Sequence, residues 1–127
     1  MDAPPNEFQA QVYLIVSMIP PGRLMTYGGI AALIPPPPEM DIQAYAAIRA
    51  RWAGYALARC PGELPWHRVV NAQGRVSKRP GHGPHVQRAR LEEEGLQFDD
   101  RERLDLANRV WEPEETWLQA NGLLTQS

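Results

Sequence analysis

The chain has 127 residues, one cysteine, thirteen Lys/Arg against fifteen Asp/Glu, and a net charge of −2. That length bounds it to one domain with a modest core, and a single cysteine excludes an internal disulfide and suits a reducing compartment. No apolar run reaches the roughly 18 residues needed to span a membrane, and Met1-Asp2-Ala3-Pro4-Pro5 lacks the basic start of a signal peptide. A soluble, cytoplasmic monomer is expected.

The elements follow in chain order. Phe8, Val12, Ile15, Val16 and Ile19 recur at helical spacing, and Pro20-Pro21-Gly22 ends the run. Thr26 to Ile34 reads as a short helix opened by a Thr cap and stopped by Pro35. Pro35 to Pro38 is a stiff extended connector. Asp41 caps a longer Ala- and Arg-rich helix reaching about Arg59, closed by Cys60-Pro61-Gly62. Two helices joined in this way predict a helix-turn-helix with an unusually long connector. Val69-Val70 and Arg75-Val76-Ser77, around Asn71-Ala72-Gln73-Gly74, predict a small β hairpin as a wing. Lys78 to Pro84 is a basic loop, and Val86 to Glu94 is a helix stopped by Gly95. From Asp99 the chain is acidic, with Leu104, Leu106, Val110, Trp111, Trp117 and Leu118 as apolar anchors. The expected organisation is a mainly α winged helix-turn-helix domain over 6–98 with an acidic tail, 99–127, packed on it.

Charge is unevenly distributed. Arg49 to Arg90 holds nine Lys/Arg and one acid, Glu63, for a segment charge of +8, and the remainder carries −10. A basic centre with acidic ends fits a local polyanion-binding face. Charge alone leaves open the alternative that these arginines scatter over the folded surface. His82 and His85 lie three apart without further ligands nearby, so no metal site and no cofactor are expected.

Five ordered blocks carry a resemblance: Ile19-Pro20-Pro21-Gly22, Thr26-Tyr27-Gly28, Arg51-Trp52-Ala53-Gly54, Pro65-Trp66-His67-Arg68-Val69-Val70, and Glu94-Gly95. Together they resemble the DNA-binding domain of the O6-alkylguanine-DNA alkyltransferases over roughly Phe8 to Phe98. In that family the fourth block reads Pro-Cys-His-Arg, and the cysteine accepts the alkyl group. Trp66 at that place resembles the alkyltransferase-like subgroup, which binds alkylated guanine without repairing it, and Trp66 to Arg79 fits the subgroup closely.

The chemistry of the substitution agrees. Attack on an alkyl carbon needs a polarisable sulfur and a base to ionise it, and an indole supplies neither. Cys60 is the remaining sulfur, at the end of a helix with no neighbouring His in sequence. Trp66 is then either a core aromatic or the wall of a pocket for a flipped guanine, and the resemblance favours the wall. His67, the activating base of the reactive relatives, and Glu94, their buried carboxylate, become a structural network.

The resemblance assigns further roles. Tyr27 matches the tyrosine that rotates the phosphate beside the target nucleotide. Arg51 matches the arginine that enters from the minor groove and fills the gap left by the flipped base, which a flat guanidinium suits. Ala50 and Gly54 are small and let that helix approach the groove. Trp52 departs from the small residue expected there, and its indole must point into the core if the helix is to dock. Arg79 matches the cation that senses the O6 side of the lesion through cation–π contact. Pro65, Val69 and Ser77 complete the pocket, and Arg68, Arg75 and Lys78 serve phosphates or internal pairing.

The implied function is a non-enzymatic sensor of O6-alkylguanine in duplex DNA. It binds the minor groove, flips the base and flags it for damage-recognition proteins of nucleotide excision repair. A bacterial source would put it on the nucleoid. Two rivals remain: a transferase with an unexpected acceptor, and a helix-turn-helix transcriptional regulator.

Overall fold

The structure, a computed structural model, describes residues 4–76 and 84–125. Its first helix, α1 (Asn6–Ser17), buries Phe8, Val12, Ile15 and Val16. These are the positions whose spacing gives a helix one apolar face.

A two-residue strand, β1 (Met25–Thr26), leads directly into α2 (Tyr27–Ala31). The Thr26 hydroxyl accepts the Gly29 N–H at 2.9 Å, as the sequence predicts for a cap. The helix then tapers before the prolines: Leu33 and Ile34 bond three residues back, to Ile30 and Ala31. Pro35 disfavours the α conformation at the residue before it, so the last turn tightens rather than continuing.

Asp41 opens α3 (Ile42–Ala58), its carboxylate accepting the Ala44 N–H at 3.0 Å. The buried Tyr45 hydroxyl donates to the Ile34 carbonyl at 2.5 Å, so the far end of α2 is tied onto α3 across the proline connector. Burial raises the Tyr45 phenol to about 12, Arg49 opposing the shift. Helix α3 also packs on α1. There Trp52 meets Phe8 edge-on at 5.3 Å and Tyr45 at 6.0 Å. The Trp52 indole therefore points into the core and leaves the opposite face of α3 clear.

A 3-10 turn (Trp66–Arg68) runs into β2 (Val69–Val70). Here the predicted hairpin is corrected. Val69–Val70 pairs in parallel with β1, in the register Met25 with Val69 and Thr26 with Val70. The return arm through Arg75 and Val76 forms no ladder with it among the described residues, and Ser77 lies outside them. Asn71 explains the difference. Its side-chain oxygen accepts the N–H groups of Gln73 and Arg75 at 2.9 and 3.0 Å, closing the segment into a turn stapled by a side chain. Gly74, at φ +79°, gives its carbonyl to the Leu104 N–H.

Helix α4 (Pro84–Glu93) ends at Gly95 and packs on the Trp66 turn. Beyond it come α5 (Leu106–Arg109) and α6 (Glu115–Ala120). Val110 bridges Leu24 in parallel, through Leu24 N–H to the Arg109 carbonyl and Trp111 N–H to the Leu24 carbonyl. Leu118 and Leu123 enter the main core, and Leu104 joins a second cluster with Leu24, Val70, Leu91 and Leu96. No helix among the described residues is long and apolar enough to cross a membrane.

Candidate nucleic-acid interface and base pocket

Two regions carry the residues singled out by sequence. The first is the α2–α3 pair. Tyr27 begins α2, half-buried against the core. Ala50 and Arg51 are exposed on α3, and Gly54 is half-buried. A Cβ added at Gly54 or at Gly28 would meet nothing within 4 Å. A glycine inside a helix costs about 0.5–1 kcal/mol relative to alanine. Internal packing among the described residues requires neither glycine.

The second is the largely buried turn of Pro65, Trp66, His67, Arg68 and Val69, whose Trp66 and Val69 belong to the main core. Trp66 is 1% exposed and packs edge-on to His67, ring centroids 6.1 Å apart. Val69 is buried and Pro65 half-buried. The His67 Nε2 lies 2.7 Å from Glu94 Oε2. Arg68 donates to the same carboxylate from Nη2 at 2.7 Å and from Nε at 3.0 Å, and to the Ile19 carbonyl from Nη1. The Gly22 N–H donates to Glu94 Oε1 at 2.9 Å.

The electrostatics follow from this geometry. Burial alone would raise the Glu94 pKa, but the bonds from Arg68, Gly22 and His67 outweigh it and hold the carboxyl at about 2. Burial lowers the His67 pKa, with Glu94 working in the opposite direction, so the imidazole is held neutral. An ionised Glu94 accepts, which assigns the proton to His67 Nε2. Nδ1 is then a buried lone pair with no hydrogen-bond partner among the described residues. Such a group can take a proton from a neighbour. The side chain edge-on to this ring is the Trp66 indole.

Cys60 is 8% exposed and belongs to the apolar core at the end of α3. Of the basic segment, Arg68 is committed to Glu94, and Arg88 to Glu92 and Glu102. Arg75 donates to the Arg101 carbonyl. Arg51, Arg59 and Arg90 remain exposed. Ser77, Lys78 and Arg79 lie outside the described residues. Among those described, no cluster of three or more His, Cys, Asp or Glu is arranged to hold a metal ion.

A family profile described as the DNA binding domain of 6-O-methylguanine DNA methyltransferase matches residues 7–96. A DNA base-flipping protein of Vibrio parahaemolyticus is 33% identical over 85% of this chain and 99% of its own. Alkyltransferase-like protein 1 of Schizosaccharomyces pombe is 36% identical over 85% of this chain and 97% of its own. The chain belongs to the alkyltransferase-like family of DNA base-flipping proteins. A crystal structure of the Schizosaccharomyces pombe protein Atl1, in complex with damaged DNA containing O6-carboxymethylguanine, superposes with a TM-score of 0.63 at 34% identity. It covers 87% of this chain and 99% of that one.

Two residues of this alkyltransferase-like chain escape a motif reading. Gln87 is 1% exposed, and its amide donates to the carbonyls of His67 and Val69 at 3.1 and 2.8 Å. Arg90 holds its guanidinium 5.2 Å from the Trp66 ring centroid. The available signal is spacing: Gln87, Arg90, Leu91 and Glu94 recur at helical intervals.

Proposed function

We propose that this protein binds O6-alkylguanine in duplex DNA through the minor groove, rotates the damaged base out of the stack and holds it without transferring the alkyl group. The observation that carries the reading is the Trp66 turn. The His67–Glu94 pair, bonded at 2.7 Å, stands ready to ionise a nucleophile, and the adjacent side chain is an indole. Kinship with a protein solved on DNA containing O6-carboxymethylguanine supports the ligand class.

The roles divide between the two regions. Residues 6–98 form the DNA-binding unit and the acidic 99–127 segment braces it. On α3, Arg51 enters the duplex and takes the place of the extruded base, and Ala50 and Gly54 allow the helix to come close. Tyr27 turns the phosphate. Unstacking a base costs a few kcal/mol, and the arginine's stacking offsets part of it. Trp66, Pro65, Val69, Ser77 and Arg79 form the pocket, with Arg79 as the cation facing the O6 side. His67 and Glu94 keep the turn in shape. Hand-over of the marked lesion to the damage-recognition proteins of nucleotide excision repair rests on the resemblance to the subgroup.

The test is a duplex carrying guanine O6-methylated with a radioactive label, incubated with equimolar protein and then separated under denaturing conditions. The label is expected to stay in the DNA while native gels show the complex. Stoichiometric label on the protein would make it a transferase.

A further inference from the structure

Helix α4 clamps the Trp66 turn along one stripe. Gln87 holds the carbonyls of His67 and Val69. Leu91, one turn on, is fully buried. Glu94, just past the helix end, grips His67 and Arg68. Residues three, four and seven apart share a helix face, and Arg90 is the remaining member of this series. Its guanidinium lies over the Trp66 ring at 5.2 Å, although the residue itself is exposed.

We propose that Arg90 is a positioning residue of the lesion pocket: its guanidinium stacks on the Trp66 indole and fixes the ring as a preset wall for the alkylated guanine. This rests on the reading of Trp66 as that wall. An indole turns about two side-chain torsions, and immobilising such a group on binding costs affinity. Trp66 is 1% exposed in the main core, and a cation over its ring adds to that restraint with a flat group that a lysine lacks. Gln87 and Glu94 hold the residues that follow Trp66, through the His67 and Val69 carbonyls and the His67 and Arg68 side chains, whereas Arg90 contacts the ring itself. The Arg90 charge also adds to the burial that keeps His67 neutral.

The experiment uses the full chain and two duplexes differing only in guanine or O6-methylguanine at one site. Arg90→Ala and Arg90→Gln are expected to lose about three- to tenfold in lesion binding, the range of a cation–π contact, with less than about twofold lost on the control duplex. Arg90→Lys is expected to keep part of the difference. In protein labelled with 5-fluorotryptophan, the Trp66 fluorine resonance, assigned by its absence from Trp66→Phe, should shift and broaden in Arg90→Ala. The resonances of Trp52, Trp111 and Trp117 should hold, which certifies the fold. Equal losses on both duplexes would make Arg90 a phosphate contact and overturn the proposal. No loss, or an unmoved Trp66 resonance, would overturn it as well. Trp66→Ala separates the two levels. If it discriminates as the parent does, the pocket-wall reading falls and this proposal with it. If it loses discrimination while the Arg90 variants keep theirs, this proposal alone falls.

Discussion

Glu94 shows how one side chain can tie several elements of a fold together. Its side chain is 15% exposed and answers donors from His67, Arg68 and Gly22. Glu94→Gln would keep the shape but leave Arg68 without its counter-charge in a largely desolvated place, at a cost of about 2–3 kcal/mol, somewhat below that of a fully buried pair. Urea unfolding measures this. The acid limb of stability should change too. Both Glu94 and His67 have folded pKa values below their unfolded ones. The unfolded chain therefore binds more protons as the pH falls, and stability is fully present only above 6.5. His67 withdraws its share first, below 6.5, and Glu94 withdraws its own between 4.5 and about 2. Glu94→Gln should flatten the lower of these two steps; an unchanged acid limb would deny Glu94 this role.

Arg51 and Tyr27 belong to the same scale. Each should matter for extrusion rather than folding, since Arg51 is exposed and Tyr27 only half-buried. Arg51→Ala is expected to weaken lesion binding by about tenfold or more, given an unstacking cost of a few kcal/mol, and Tyr27→Ala in the same direction. A fluorescent base beside the lesion reports the extrusion. Either variant flipping as readily as the parent would remove that residue from the mechanism.

Among the elements, α2, α3 and α4 were legible because each carries its own punctuation, whereas α5 and α6 lay inside what the sequence shows only as an acidic tail. Thr26 and Asp41 make the caps that their positions announce, and Gly95 ends α4. The strands were not. Val69-Val70 followed by an Asn-to-Gly turn reads as half a hairpin, yet its partner is Met25–Thr26, 44 residues earlier in the register. Local sequence cannot announce a parallel partner, and the Asn71 staple consumes the donors that a returning strand needs. The site divides in the same way. Trp66, His67 and Glu94 were found by motif, whereas Gln87 and Arg90 act from α4 onto a turn some twenty residues away. The turn itself yields a sharp expectation. Gly74 sits at φ +79°, and a Cβ there would come within 2.7 Å of the Leu104 carbonyl. Gly74→Ala should cost about 2 kcal/mol or more, from the backbone strain alone of order 1–3, and should loosen the segment around Leu104. Hydrogen exchange at the Leu104 amide, which donates to Gly74, is the readout. An unaltered melting temperature would mean that the turn relaxes at no cost.

For the whole molecule, the net charge of −2 conceals a division of labour. Some cations of the basic centre are spent on the chain's own acids: Arg68 on the largely buried Glu94, and Arg88 at the surface on Glu92 and Glu102. Arg51 and Arg59 remain exposed to the duplex, and Lys78 and Arg79 add two further charges of this segment, whereas Arg90 is assigned to the Trp66 ring. Binding should therefore fall with salt at a slope of about −3 to −5 in log–log form, at roughly −0.9 per phosphate neutralised. A slope near −8 would mean that the internal pairs break on DNA. Discrimination should behave otherwise, because lesion and control duplexes carry the same phosphates. The most direct test is thus a paired titration at one salt concentration, on duplexes identical except for guanine or O6-methylguanine at a single site. Tighter binding to the methylated duplex, with the preference abolished in Trp66→Ala, is the expected result. Equal affinity for the two duplexes would contradict a lesion sensor and return the chain to the class of general DNA-binding proteins.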